Sequence, residues 1–214
     1  MRNTIMVAIA TNNEGKATEL AHAIDIDGFF FIPVSDVIDH WTSPIEDADT
    51  FEGNALIKAR DVIDKCGMIA LADDSGLVVD ALGGAPGVFS SSFGGVEHDA
   101  ERNNDHLLDQ LAQVKDDDKR TARFVSTLVL VGLDRIIEGA PQQLVAIGSV
   151  EGRIGWERRG SHGFGYDPLF LPDETPGRTM AELTLDEKNA ISHRGRAVRD
   201  LIAQLQELDA LRSD

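Results

Sequence analysis

Five polar or glycine-rich segments interrupt the apolar runs of this chain, and any fold it adopts must place them beside buried structure. They are ATNNEGK (residues 10–16), FEGNALIKAR (51–60), LADDSGLVVDALGGAPGV (71–88), GFGYDP (163–168) and EKNAISHRG (187–195). Between them they hold cations suited to phosphates, carboxylates suited to a metal and aromatics suited to a base. Read together, they describe one nucleotide site.

The runs between them set the fold class. TIMVAIA (4–10) is β-branched and apolar and reads as a buried strand, followed by a polar loop (11–15) and a helix (16–24). A second strand is expected over 29–34, a loop over 37–49 and a helix over 50–66. Ala55, Ala59, Val62 and Ile63 form the apolar stripe of that helix, while Asn54, Lys58 and Asp61 line a polar face at helical spacing. Short strands over 68–72 and 77–79 flank an ADDSG turn, and GGAPG (83–87) is a loop by composition. A helix over 99–114 turns Leu107, Leu108 and Leu111 inward. Strands over 124–133 and 144–150 form a hairpin, and a final helix covers 192–211. Alternating helices and strands with long central strands predict an α/β fold whose sheet mixes parallel and antiparallel pairs.

Charge and length limit the function classes. A chain of 214 residues with 42% hydrophobic content can bury a substantial core. The formal net charge of −17 argues against general nucleic-acid binding, which draws its affinity from Lys and Arg on phosphates. It does not exclude a small phosphorylated ligand, because a few local cations and a divalent metal reverse the sign within one cleft. No apolar run reaches membrane-spanning length, and the first strand is too short for a signal-peptide core. The single cysteine, Cys66, rules out an intramolecular disulfide. Together these features lead us to expect a cytoplasmic protein without a nucleic-acid or membrane partner.

The segments differ in what they say alone. A strand, a polar loop and a helix near Lys16 make an anion site, since free N–H groups and the helix dipole favour negative charge there. The same residues serve equally as a helix cap with a surface lysine, and the P-loop spacing is absent. Asp73 and Asp74 sit between two apolar strands, and adjacent carboxylates at a strand end point in opposite directions. One reaches a metal or water and the other braces structure, unless the pair belongs to a simple Asx-type turn. Glu46, Asp47 and Asp49 are candidates to complete a metal site. Phe164 and Tyr166 lie between glycines that let a backbone approach a ligand, so one can stack on a base while the other packs. Lys188, His193 and Arg194 cluster near a capping box at 184–187. An arginine facing a purine's 6-position welcomes a 6-oxo group and opposes a 6-amino group, because it carries donors only.

As a set, these motifs give the chain a specific resemblance. It resembles the inosine/xanthosine triphosphate pyrophosphatase family over essentially its whole length, most closely in ADDSGLVVDALGGAPGV, GFGYDP and EKNAISHRG. The resemblance implies Mg2+-dependent hydrolysis of dITP, ITP and XTP to the monophosphate and pyrophosphate, which removes deaminated purines from the nucleotide pool. It implies one domain over 1–214, with two α/β lobes around an elongated mixed sheet flanked by helices and a central active-site cleft. It also implies a homodimer.

Carried over, Thr11, Asn12, Asn13, Glu14, Gly15 and Lys16 look like the phosphate loop. Asp74 looks like the catalytic proton acceptor and, with Glu46, a metal contact. Ser75 looks like a substrate contact. Phe164, Gly165, Tyr166 and Asp167, with Lys188, His193 and Arg194, look like nucleotide and base contacts. Two departures stand out. Ser90, Ser91 and Ser92 replace a segment that carries a basic residue in many members. The loop holding Glu46 is also the least motif-like part, so Asp47 or Asp49 can take its role. Rival readings are a pyrophosphatase acting on modified pyrimidines and a nucleotide-binding regulator without catalysis.

Overall fold

The computed structural model describes residues 4–13, 16, 17, 20 and 23–211, with the backbone alone for 209–211. Strand β1 (Ile5–Ile9) is followed by helical residues at Lys16, Ala17, Leu20 and Ala23, and then by β2 (Phe29–Pro33). Helix α1 (Phe51–Cys66), β3 (Ile69–Val79), helix α2 (Ala100–Gln110), β4 (Thr121–Val131), β5 (Gln143–Ile154) and β6 (Phe170–Pro172) come next. Helices α3 (Leu185–Ile191) and α4 (His193–Leu211) close the described chain. The six strands make one sheet in the order β2-β1-β3-β4-β5-β6. β1 runs parallel to β2 and β3, whereas β5 and β6 are antiparallel, so the sheet is mixed as the pattern implies. No helix among the described residues is long and apolar enough to cross a membrane.

The chain divides into two compact units. The first comprises residues 1–74, 126–148 and 194–214, and the second 75–125 and 149–193. β3 passes from the first to the second directly after Asp74, at a position set by the sequence ADDSG.

In the first unit, α1 begins where the Thr50 hydroxyl accepts from Gly53 N and ends at Gly67, whose φ of 73° suits a residue without Cβ. Its stripe of Ala55, Ala59, Val62 and Ile63 packs on Ala8, Ala10, Ala70, Ala72, Val129 and Val131. Alanines on both surfaces let helix and sheet approach closely. Val62 and Ile63 each contribute on the order of 1.5–3 kcal/mol by burial. A larger side chain at Ala59 would overpack this contact, at a cost of about 1–3 kcal/mol. A second cluster joins Val7, Ile9, Leu71, Leu128 and Leu130 to Ala197, Val198, Leu201 and Leu205 of α4, with Ile202 and Leu208 packed at its margin. In the second unit, Leu107 and Leu111 pack with Leu77, Val79, Phe124, Val150, Tyr166 and Phe170, and Leu108 lies at the edge.

Three elements differ from the sequence expectation. ADDSG is the middle of one eleven-residue strand and not a turn. Two adjacent acids are tolerated there because each meets cations or a hydroxyl, so burial in the strand leaves no bare charge. β5 runs on to Ile154, beyond the expected end at 150, with burial alternating along its length as in a half-covered strand. The capping box at Thr184 and Glu187 starts a separate helix, α3, which ends where Ser192 turns extended at ψ 155°.

Candidate functional site

The first unit gathers three acids and three cations. Asp73 and Asp74, the last two residues of β3 in this unit, point to opposite faces as adjacent strand residues must. The Asp73 carboxylate is wholly buried. Its Oδ1 accepts from the Ser126 hydroxyl at 2.6 Å, and its Oδ2 lies 3.2 Å from Lys16 Nζ and 3.3 Å from Arg194 Nε. Burial opposes its ionisation, but Lys16, Arg194 and Ser126 outweigh that and hold it far below the usual carboxylate range. Burial also pushes the Lys16 ammonium down, against the pull of Asp73. Asp73 is therefore the brace of the pair, fixing one cation from the helical residues after β1 and one from the first turn of α4.

Asp74 faces the other way. Lys58 Nζ, from α1, lies 3.2 Å from Asp74 Oδ1 and 2.7 Å from Glu46 Oε2. The second Asp74 oxygen, Oδ2, is buried with no hydrogen-bond partner among the described residues. Burial raises the Asp74 pKa and Lys58 only partly offsets it. Lys58 is raised despite its own burial, because Asp74 and Glu46 favour its charge. Glu46 is the acid of its loop beside Lys58, and no ion pair joins Asp47 or Asp49 to Lys58 among the described residues. The loop is tied to α1 by Asn54, whose Oδ1 accepts from Ala48 N at 2.9 Å. The polar stripe of α1 is thus a structured face, buried at Asn54 and Lys58 and half-buried at Asp61. Asp61, its third member, accepts from the Trp41 indole at 2.7 Å.

This donor set fits a hard divalent cation. No group of three or more acids, histidines or cysteines stands ready for a metal among the described residues. Two carboxylates, one with a buried unpartnered oxygen, match Mg2+, which takes one or two protein carboxylates and fills the rest with water and substrate phosphate.

The loop after β1 is built as a helix cap. Asn13 Oδ1 accepts from Lys16 N at 3.0 Å, and Asn13 N donates to Thr11 Oγ1 at 3.1 Å. The backbone N–H of Lys16 is therefore taken within the chain. Asn12 is exposed, and Glu14 and Gly15 lie outside the described residues.

The second unit holds the aromatic group. Phe164 N donates to Asp167 Oδ2 at 2.8 Å, closing the GFGYD loop on itself. Lys188 Nζ donates to the same oxygen at 2.8 Å and lies 4.8 Å from the Phe164 ring centroid. A Cβ on Gly163 would run into the Asp167 carboxylate, and the residue's φ of 76° also demands glycine. Gly165 O accepts from Asn104 of α2 at 2.9 Å. Of the two aromatics, Tyr166 is the packing one: it is buried in the core and its hydroxyl donates to Ser90 O at 2.9 Å, while Phe164 stays partly exposed. His193 stacks on Phe124 at 4.9 Å. Ser75 is partly buried at the start of this unit's share of β3. Arg194, next to His193 in sequence, belongs to the first unit and meets Asp73 there.

Against this geometry, the family model described as the Ham1 family matches residues 7–204. The chain belongs to the Ham1 family. A dITP/XTP pyrophosphatase of Leifsonia xyli is 45% identical, with 95% of this chain and 97% of the relative covered. One of Lactobacillus acidophilus is 44% identical over 94% of this chain and 98% of its own. The solved structure of a HAM1 protein from Coxiella burnetii superposes with a TM-score of 0.80 at 38% identity, covering 95% of this chain and 100% of that one.

Two contributors to this geometry escaped the motif reading. Ser126 and Asn104 hold site residues from elements without a motif. Asn103 and Asn104 did leave a signal, since two adjacent asparagines inside a helix are poor helix formers and need a reason to be there.

Proposed function

We propose that this chain hydrolyses deaminated purine nucleoside triphosphates (ITP, dITP, XTP and dXTP) to the monophosphate and pyrophosphate. The observation that carries the reading is the division of labour at Asp73–Asp74. One carboxylate is committed to two cations, and its neighbour keeps a buried oxygen without a partner among the described residues, beside a second acid. A pure binder has no use for such an oxygen, whereas a hydrolase needs a general base. The names of the Leifsonia and Lactobacillus relatives support the same reaction.

Asp74 takes the proton of the water that attacks the α-phosphorus. Its raised pKa makes it a stronger base than an exposed carboxylate. Lys16 and Lys58 face the phosphates as point charges, and Asp73 keeps Lys16 and Arg194 in place. Phe164 stacks on the base, and Lys188, His193 and Arg194 supply the donors that select a 6-oxo group. Glu46 and Asp74 would hold Mg2+, which when bound neutralises charge developing on the phosphate oxygens. We further propose that the two units act as one domain, that the protein is a homodimer and that it works in the cytosol. The family resemblance supports the first two, and the single free cysteine supports the third.

The test is incubation of the purified protein and Mg2+ with ITP, XTP, ATP and GTP separately, measuring pyrophosphate and orthophosphate. Pyrophosphate from ITP and XTP with little from ATP or GTP is expected. Orthophosphate as the product would move the cut to another phosphate, and faster turnover of dUTP or dTTP would overturn the base assignment.

A further inference from the structure

We propose that Lys58 is a resident counter-cation of the Glu46–Asp74 pair, which a divalent metal must displace, so that metal binding is coupled to whatever takes up the Lys58 ammonium. The inference rests on the reading of Glu46 and Asp74 as metal carboxylates. Lys58 Nζ sits 2.7 Å from one and 3.2 Å from the other, and its side chain is 7% exposed. A divalent ion binds through the same oxygens that this ammonium occupies.

The charge count shows why both cations are not welcome together. Two carboxylates and one ammonium leave one net negative charge, and adding a divalent ion makes the group net positive by one. Lys58 and Asp74 are buried while the Glu46 side chain is a third exposed, so an uncompensated charge is costly on the Asp74 side, and two cations drawn onto the same oxygens repel. Triphosphate reverses the balance, because its oxygens take the ammonium and add negative charge beside the metal.

The backbone around the Lys58 ammonium is tied down. It stands on the helix whose Asn54, one turn earlier, anchors the Glu46 loop through Ala48 N. Glu46, Lys58 and Asp74 are therefore held by one helix, one tethered loop and one central strand. Metal binds weakly to the protein alone and more tightly once nucleotide is present, and by linkage the coupling runs equally in both directions.

Mn2+ serves as the probe, with the free ion followed by electron paramagnetic resonance. Titrations use the full chain without nucleotide and with a non-hydrolysable inosine triphosphate analogue. Lys58→Met removes the ammonium and Lys58→Gln keeps polar donors while removing the charge, so Lys58→Gln still reports if the first variant folds poorly. Circular dichroism checks the fold of each. Both should bind Mn2+ about tenfold or more tightly than the parent in the absence of nucleotide. Lys58→Arg, which keeps the charge, should stay near the parent. Equal or weaker Mn2+ affinity in folded Lys58→Gln overturns the proposal while leaving the metal reading intact. Absence of Mn2+ binding in every variant, with or without the analogue, overturns the metal reading and this inference with it.

Discussion

In the first unit, Glu46, Asp73 and Asp74 meet Lys16, Lys58 and Arg194. In the second, Asp167 meets Lys188 beside an aromatic ring. The first group draws its parts from five places in the sequence, and each charge is fixed by another charge. The second is mostly one loop closed on itself, its shape set by Gly163, by the Phe164 N–H and by Asn104 under Gly165. A group held together by mutual charges fails broadly when one member is removed. A group held by backbone geometry tolerates loss of a side chain and changes mainly in what it recognises. In the proposed reaction the first group, Arg194 apart, serves bond cleavage and the second serves discrimination.

The sharpest way to break this contrast is Asp74→Asn. In the proposed reaction it removes the general base, so kcat for pyrophosphate release from ITP should fall by about 10²–10⁴-fold. The melting temperature should stay close to the parent, because Asn keeps an oxygen for Lys58. Turnover near that of the parent would take Asp74 out of the chemistry and return the first group to a structural role.

Asp73→Ala tests the brace. It removes the buried carboxylate that Lys16 and Arg194 share, and their side chains are only 15% and 2% exposed. Breaking a buried pair from one side costs about 3–5 kcal/mol, a large part of a domain's stability. Denaturant unfolding measures it. A loss below about 1 kcal/mol, the scale of exposed ion pairs, would mean that the cations find other partners and that the network is looser than its distances suggest.

The fold was legible in the sequence wherever one periodicity dominated a run. The α1 stripe, the α4 face and the first strand all lie where the apolar spacing puts them. The strand through ADDSG was hidden because its acids mimic turn chemistry, and only the distant cations that neutralise them permit extended burial. The motif residues of the site were visible as types, but not their pairings. His193 and Arg194 read as one cluster, yet successive residues on a helix point about 100° apart. One stacks on Phe124 and the other meets Asp73. Lys58 was visible as a cation of a polar stripe but its carboxylate pairing was not, since its partners lie 12 and 16 residues away on a loop and a strand.

A smaller effect is expected at Phe164. Replacing it with Ala removes the ring beside Lys188, and loss of a base–aromatic stack costs about 1–3 kcal/mol. In the proposed reaction KM for ITP should rise by roughly five- to a hundred-fold, with kcat changed less. An equal fall in kcat with KM unchanged would place Phe164 with the bond-breaking group and erase the distinction between the two regions.

The smallest effect separates helix capping from charge pairing next to Lys188. Glu187 forms bonds of 3.0 Å with both terminal nitrogens of Arg178 and accepts from Thr184 N at 2.8 Å, closing the capping box of α3. The Arg178 pair, with the Thr184 N–H second, lowers its pKa to about 2 from 4.5. The folded value lies below the unfolded one, so the charged form stabilises the fold above the unfolded value of 4.5 and the contribution is lost as pH falls through about 2. Glu187→Gln keeps an oxygen for Thr184 N but cannot titrate. Melting temperature followed from pH 5 down to about 2 should therefore fall less steeply in the variant than in the parent. Identical slopes would mean that the Arg178 pair adds nothing and that α3, with Lys188 on it, starts from its hydrogen-bonded cap alone.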